Sequence, residues 1–238
     1  MSALGVVSGS FMREQLRTPL TLVLLVAIPA FFVLIFASVL DQFATALGGS
    51  LAARSATAIS AGWATAFLSG TLAFFQVASS RAADRRLALA GFGAVRVAAA
   101  RITAALLLAV AVSLVAFVTL WLRSGIEHPL HAAIAILAFG AIYIGIGAVI
   151  GAFISAPLEG SLLVVLVFSI DAFSGPQMTG GGGILALSTP TRQAANLLVA
   201  AGGGHGSPAG DWLGVAAVAL GALAIALAAF WRAARTRS

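Results

Sequence analysis

The stretch ITAALLLAVAVSLVAFVTLWL, residues 102–122, decides the fold of this chain. It carries no charged side chain, and about 20 apolar residues of α-helix are enough to cross the roughly 30 Å hydrocarbon core of a bilayer. Five further apolar segments, separated by short loops that hold most of the charges, have the same character. The predicted spans run approximately over Leu20–Leu40, Ala56–Ser79, Ile102–Leu122, His131–Ile154, Gly160–Asp171 and Trp212–Phe230.

The composition of the whole chain is also that of a membrane protein. Of its 238 residues, 61% are hydrophobic and 8% are charged, against about 25% charged residues in an average soluble domain. The chain has no cysteine, which excludes a disulfide, a thiolate metal site and a cysteine nucleophile. We therefore predict an all-α polytopic membrane protein with six transmembrane helices, in which residues 1–238 form a single transmembrane domain.

The distribution of arginine predicts how the chain is oriented, because cytoplasmic loops of membrane proteins are enriched in basic residues. All 13 basic residues are arginines. With the N-terminus inside, Arg54, Arg123 and Arg192 lie outside. The others lie inside, namely Arg13, Arg17, Arg81, Arg85, Arg86, Arg96, Arg101, Arg232, Arg235 and Arg237. Both termini are thus predicted to be cytoplasmic. The net charge of +6 is explained by topology and anionic lipid headgroups, without nucleic acid.

Three segments outside the spans carry structural signals. Residues 1–18 mix charged and apolar side chains and are predicted to form an interfacial helix on the membrane surface. Residues 174–210 are rich in glycine and proline and are predicted to be extracytoplasmic, with short helices near Ile184–Leu187 and Ala194–Ala201. Pro29 lies inside the first span, where a proline is expected to kink the helix.

The most charged stretch of the chain, residues 80–101, is the strongest candidate for a functional site. Helical spacing places its arginines on one side and its leucines on the other, and Gly91 and Gly93 are expected to end or bend that helix. One hypothesis is a contact with a cytoplasmic partner; the other is a basic loop that only fixes topology. The candidate contact residues are Arg81, Asp84, Arg85, Arg86, Leu89, Gly91 and Arg96.

Other sites of chemistry are poorly supported by the sequence. Asp171 is the acid placed inside a span, near its outer end, and we interpret it as a cap or a water-exposed residue at the mouth. Glu127, His128 and His131 share a short loop but are weak evidence for a metal site. A phosphate-binding Walker loop requires a lysine, and this chain has none. We therefore predict that the chain is not an enzyme and binds no cofactor or metal.

Small residues recur at helical spacing in two spans. Gly147 and Gly151 form a small-xxx-small pair with Gly140 close to the same face, and Ala217 and Gly221 form a similar run in the last span. Such residues let two helices approach closely. They are consistent with packing inside one subunit or with a dimer interface.

The arrangement of these features resembles the type-2 ABC exporter permeases, the membrane subunits of bacterial ATP-binding-cassette efflux systems. Arg13–Pro19, leading into the first span with Pro29, is similar to the family's basic elbow helix and first helix. Arg81–Arg96 resembles the loop with which the family contacts its ATPase, although Asp84-Arg85-Arg86 stands where the family often has Glu-Arg-x-x-Gly-Thr. Phe173–Pro176 and Thr189–Arg192 resemble the family's Ser-Gly turn and its proline-containing segment before the last span.

The resemblance implies a mechanism and a set of partners. Two permease chains, identical or related, would enclose a central pathway in the bacterial plasma membrane. A separate ABC ATPase, which binds the ATP and the Mg²⁺, would dock on residues 80–101 and switch the pathway from inward to outward exposure. The expected substrate is hydrophobic or amphipathic, because the spans offer aromatic side chains and almost no charge. The candidate lining residues are Phe67, Phe74, Phe75, Phe117, Phe139 and Phe168. For each of them, a position facing lipid or packed between helices is the favoured alternative.

Two other classes of function stay open on the sequence alone. A gradient-driven secondary carrier would work without an ATPase and would be sensitive to replacement of Asp171 by asparagine. A membrane scaffold or accessory protein would transport nothing and would bind no nucleotide-hydrolysing subunit.

Overall fold

The structure, a computed structural model, describes residues 19–46, 52–175, 178, 189–204 and 206–235. Within these ranges the chain is almost entirely helical, and no residue forms a β-strand. Six helical segments of this part are long and apolar enough to cross a bilayer. The predicted fold class is confirmed: the chain is an all-α, multi-pass membrane protein. The predicted interfacial helix over residues 1–18 lies outside the described residues.

The first span is one irregular helix. It consists of α1 (Pro19–Phe31), a π-helical turn (Phe32–Phe36) and α2 (Ala37–Ala46), which follow one another without a break. Pro29 lies inside α1, three residues before the π-helical turn. Proline has no N–H to donate to the preceding turn, and π-helical turns are sites where helices bend. The irregularity thus lies beside the residue at which the sequence predicts a kink.

The second and third spans form a hairpin of two long helices, α3 (Ala53–Leu87) and α4 (Ala94–Ser124), joined through a π-helical turn (Ala88–Phe92). Helix α3 continues beyond Ser79, the predicted end of the second span, to Leu87, and thus runs into the charged segment whose spacing predicts a helix. Residues 80–87 contain alanine, arginine and leucine, which favour helix, and no glycine or proline. The change from apolar to charged side chains marks a change of surroundings, and the helix continues through it.

The second half of the described chain holds two long spans, one short span and one further short helix. The loop from α4 is short, and the next helix begins at a proline, which suits the first turn of a helix. The helices are α5 (Pro129–Phe153), α6 (Pro157–Ser174), α7 (Arg192–Gly203) and α8 (Ala209–Arg235). Helix α7 confirms the predicted short helix near Ala194–Ala201, whereas Ile184–Leu187 lies outside the described residues.

Helices α3 and α5 form the centre of the bundle. In the most apolar 18-residue stretch of each of these helices, 78% and 72% of the residues are buried, against 22% in the corresponding stretch of α8. Glycines bring the two central helices together: a Cβ atom on Gly147 would collide with the carbonyl oxygen of Gly70, and one on Gly151 would come within 2.8 Å of the carbonyl oxygen of Phe74. The glycines of α5 therefore serve packing within the chain, which was one of the two interpretations of their spacing.

The aromatic side chains divide into packed and partly accessible ones. Phe74 and Phe139 are fully buried between helices, which agrees with the interpretation of them as helix-packing residues; they fill the core of this chain. Phe67 and Phe168 lie 5.3 Å apart between ring centroids, and Phe32 stacks on Phe67 at 6.2 Å. These three rings connect the first span to α3 and α6.

The two ends of the bundle differ in charge. One end holds the junction of α3 and α4, the last turn of α5 and the last turns of α8; we call it the arginine-rich end. At this end Arg81 donates a hydrogen bond to the carbonyl oxygen of Gly151, and the guanidinium of Arg232 lies 5.3 Å from the ring centroid of Phe153. The other end holds α7 and the loop between α4 and α5, and we call it the opposite end.

Candidate functional site

The junction of α3 and α4 is the candidate site, and two glycines shape it. Gly91 has φ +100° and Gly93 has φ +75°, a left-handed backbone region that other residues rarely adopt. Nothing lies within 4 Å of the position of a Cβ atom at either glycine. The backbone conformation, and not a lack of space, therefore requires glycine here. The prediction that these glycines end the helix is confirmed.

A buried ion pair holds the two helices together just before this turn. Nη2 and Nε of Arg101 donate to Oδ1 of Asp84 at 2.8 and 3.1 Å, and Nε lies 3.2 Å from Oδ2. Ser80 Oγ donates to Oδ2 at 3.1 Å. Only 7% of the Asp84 side chain and 5% of the Arg101 side chain are exposed. Two-pronged guanidinium–carboxylate pairs are strong and fix the orientation of both groups.

A further contact joins the hairpin to the centre of the bundle. Arg81 is half-buried, one turn before Asp84, and its Nη2 donates to the carbonyl oxygen of Gly151 in the last turn of α5. The last carbonyls of a helix have no partner inside the helix, so an arginine is a favourable donor to them. The base of the α3–α4 turn is thus attached both across the hairpin and to α5.

Beyond this base the turn presents an exposed surface, which we call the hairpin tip (residues 85–96). Leu89 is 77% exposed and Val95 59%. Arg85 is half-exposed, and Arg86 and Arg96 are exposed. The tip contains no acid, histidine or hydroxyl group, so its arginines have no neutralising side chain within it. Basic and apolar groups that point away from the bundle suit a protein partner with an acidic, partly apolar surface.

The structure therefore separates the predicted site residues into two groups. Asp84 and Arg81 are turned inward and support the turn, whereas Arg85, Arg86, Leu89 and Arg96 reach the surface. The distribution of arginine predicts Arg101 only as a charge of the cytoplasmic side and does not predict that it pairs with Asp84. An acid and an arginine on either side of a Gly-x-Gly turn, one on each helix, are the signal that suggests such a pair.

Asp171 is the second polar feature; of its two interpretations, a cap or a water-exposed residue, the structure contradicts the second. Only 4% of the residue is exposed. Tyr143 Oη and Thr191 Oγ1 each donate to Oδ2 at 2.8 Å, and the backbone N–H of Thr191 lies 3.5 Å from Oδ1. The carboxyl group thus connects the end of α6 to α5 and to the residue before α7. Buried polar groups of this kind specify one arrangement of the helices when their partners are all present.

The residues considered as metal ligands, in the loop between α4 and α5 and in the first turn of α5, have other partners. Glu127 lies 3.6 Å from Arg54 in a solvent-exposed ion pair. The ring of His131 packs edge-on against Trp212 with 4.9 Å between centroids, and His128 lies 5.3 Å from His131. Among the described residues, no group of three histidine, aspartate or glutamate side chains is placed to hold a metal ion.

No protein-family model matches the chain, and no curated protein matches it. What its geometry offers is a helical hairpin that ends in an exposed basic and apolar tip, with a buried ion pair at its base.

Proposed function

We propose that this chain is the permease subunit of an ATP-driven exporter of the type-2 ABC class. A separate ABC ATPase would bind the hairpin tip. The observation that carries the proposal is the combination of exposed Arg86, Leu89 and Arg96 at the tip with the buried pair of Asp84 and Arg101 at its base. A loop that only fixes topology needs its charges but needs neither a rigid base nor exposed leucine and valine.

The length of the hairpin and its contacts would allow it to transmit a movement of the tip to the bundle. Helix α3 has 35 residues, which at about 1.5 Å per residue is about 52 Å, whereas the hydrocarbon core is about 30 Å thick. The helix is therefore longer than the hydrocarbon core, and its charged last turns are the part expected to project from it. Because Asp84 ties this projection to α4 and Arg81 ties it to α5, a displacement of the tip would move three helices together. ATP binding and hydrolysis on the partner would supply that displacement.

In this proposal the ATPase, a second permease chain and this chain have separate roles. The absence of lysine leaves no Walker loop, so the ATP and Mg²⁺ belong to the partner ATPase in this proposal. A second permease chain, identical or related, would complete the transport pathway. The substrate would be hydrophobic or amphipathic, consistent with the partly buried ring cluster of Phe32 and Phe67 beside Phe168.

The first prediction concerns the ATPase. We expect a stand-alone ABC ATPase, encoded by a neighbouring reading frame, to co-purify with the chain in detergent. Arg85→Glu combined with Arg86→Glu should reduce the co-purified ATPase at least about tenfold, because like charges across an interface cost several kcal/mol. Membrane insertion should be unchanged. The amount of ATPase per permease is measured on gels after affinity purification.

A matched charge reversal at the opposite end provides the control. Arg192 is the first residue of α7, where a glutamate is favourable near the helix N-terminus. Arg192→Glu should leave ATPase binding at the wild-type amount. Equal binding by the Arg85/Arg86 variant and the wild type would reject the hairpin tip as the docking surface.

The second prediction concerns orientation, since the proposal requires the arginine-rich end in the cytoplasm of a bacterial cell. A fluorescent protein fused after Ser238 should fluoresce, and alkaline phosphatase fused at the same position should be inactive. The bias of arginines to one end supports this orientation, with both termini inside. An active phosphatase fusion would reverse the topology and place the hairpin tip out of reach of ATP.

A further inference from the structure

An apolar groove on the side of the bundle has no role in the proposed permease mechanism. It has a volume of about 490 Å³, within the about 300–1,000 Å³ range of small-molecule pockets. Helices α5, α6 and α8 form its walls, and the residue that lines it nearest the opposite end is Pro190. Its wall residues include Ile142, Ile146 and Ile150 of α5, Val167 of α6, and Val218 and Ile225 of α8.

Two glycines determine the depth of this groove. A Cβ atom on Gly145 would lie 2.6 Å from the carbonyl oxygen of Ala222, so α5 and α8 are in backbone contact at its floor. Gly221 also lines the groove, but nothing lies within 4 Å of its Cβ position. The absence of a side chain at Gly221 therefore leaves open space inside the groove. A side chain introduced there would occupy the groove without disturbing a helix contact.

The groove leads towards a positive charge at the arginine-rich end. Ile225 and Arg232 are seven residues apart on α8, which places them on the same helix face. Ile150 and Phe153 are similarly one turn apart at the end of α5. The guanidinium of Arg232 lies 5.3 Å from the centroid of the Phe153 ring, so it is positioned between the two helices just beyond the apolar walls. Arg232 itself is exposed.

We propose that this groove binds one acyl chain of an anionic membrane phospholipid whose phosphate group contacts Arg232. The apolar walls match the chain, and the arginine at the mouth complements the charge of the headgroup. The site lies on one chain and needs no ATPase, so it is independent of the proposed transport function.

The experiment uses the full chain in detergent with phosphatidylglycerol as the probe and phosphatidylcholine as the neutral comparator. Native mass spectrometry measures the fraction of protein that retains one lipid. Gly221→Leu should weaken phosphatidylglycerol binding about tenfold, because the leucine occupies the space that the acyl chain requires. Ala224→Leu is the matched control, since Ala224 is exposed on the same helix and does not line the groove. It should bind as the wild type does.

Replacement of the charge tests the headgroup separately. Arg232→Gln should lower the affinity for phosphatidylglycerol to that for phosphatidylcholine and leave the latter unchanged. The proposal is overturned if Gly221→Leu binds as the wild type does, or if Ala224→Leu loses as much lipid. It is also overturned if Gly221→Leu converts a dimer into a monomer while lipid retention is unchanged, because a second copy of the chain would then be the occupant.

Discussion

Arg101→Ala should strongly destabilise the protein, by about 3–5 kcal/mol, because it leaves the carboxylate of Asp84 buried without its charge partner. Ser80 Oγ, 3.1 Å from Oδ2 of Asp84, would still donate a hydrogen bond to that carboxylate, but a neutral hydroxyl cannot replace a two-pronged guanidinium. The loss of stability is measured by heating the purified variant in detergent and monitoring the fraction of protein that stays monodisperse.

A paired replacement separates the buried charge from the loss of contacts. Asp84→Leu combined with Arg101→Met removes both charges and keeps the side-chain volumes similar, so it should recover most of the stability that Arg101→Ala loses. Arg101→Lys should be intermediate, since an ammonium group cannot make the two parallel contacts of the guanidinium. If the free energy of unfolding of Arg101→Ala lies within about 0.5 kcal/mol of the wild-type value, the pair does not hold the hairpin together.

The same variants test whether the ion pair couples the hairpin tip to the rest of the bundle. In the apolar double variant the hairpin tip keeps its arginines and leucine, so the ATPase should still bind. The rate of ATP-driven transport is expected to fall more than the amount of bound ATPase. The reason is that α3 and α4 are then joined by apolar packing, which fixes their relative orientation less strictly than the ion pair does. A double variant that folds, binds the ATPase and transports at the wild-type rate would show that the pair contributes stability alone.

The sequence predicts the spans well because the bilayer imposes one physical requirement on all of them. A segment such as residues 102–122 must be helical in lipid, where every backbone group needs an internal partner. That requirement does not determine where a helix ends. Helix α3 continues through Arg81 and Asp84 to Leu87 because the local residues favour helix, and the turn comes where Gly91 permits a left-handed backbone.

The polar contacts of the bundle were beyond prediction for a different reason. Asp171 meets Tyr143, 28 residues earlier, and Thr191, 20 residues later. Such a meeting depends on how three helices are rotated and packed, and hydropathy carries no information about rotation. The same limit applies to Gly147, whose spacing indicates a close helix contact while leaving open whether the neighbour is another helix of the same chain or a second subunit.

Gly147→Ala should lower the free energy of unfolding by about 3 kcal/mol, the upper part of the usual range for an overpacked core site. The added Cβ atom would collide with the carbonyl oxygen of Gly70, and that oxygen belongs to the backbone of a central helix, so it cannot move aside as a side chain could. Helices α3 and α5 would have to separate, which would also disturb the contact of Gly151 with Phe74. We expect poor expression and a large drop in the unfolding temperature in detergent.

Gly221→Ala is the matched control, and its effect should have the opposite sign. Nothing lies within 4 Å of its Cβ position, and alanine favours helix over glycine by up to about 1 kcal/mol. This variant should therefore be as stable as the wild type or slightly more stable. The two substitutions have the same chemistry and both lie in membrane-spanning helices, so any difference between them reports the neighbour of each glycine. Equal stability of both variants would mean that α3 and α5 do not pack through Gly147 and Gly70.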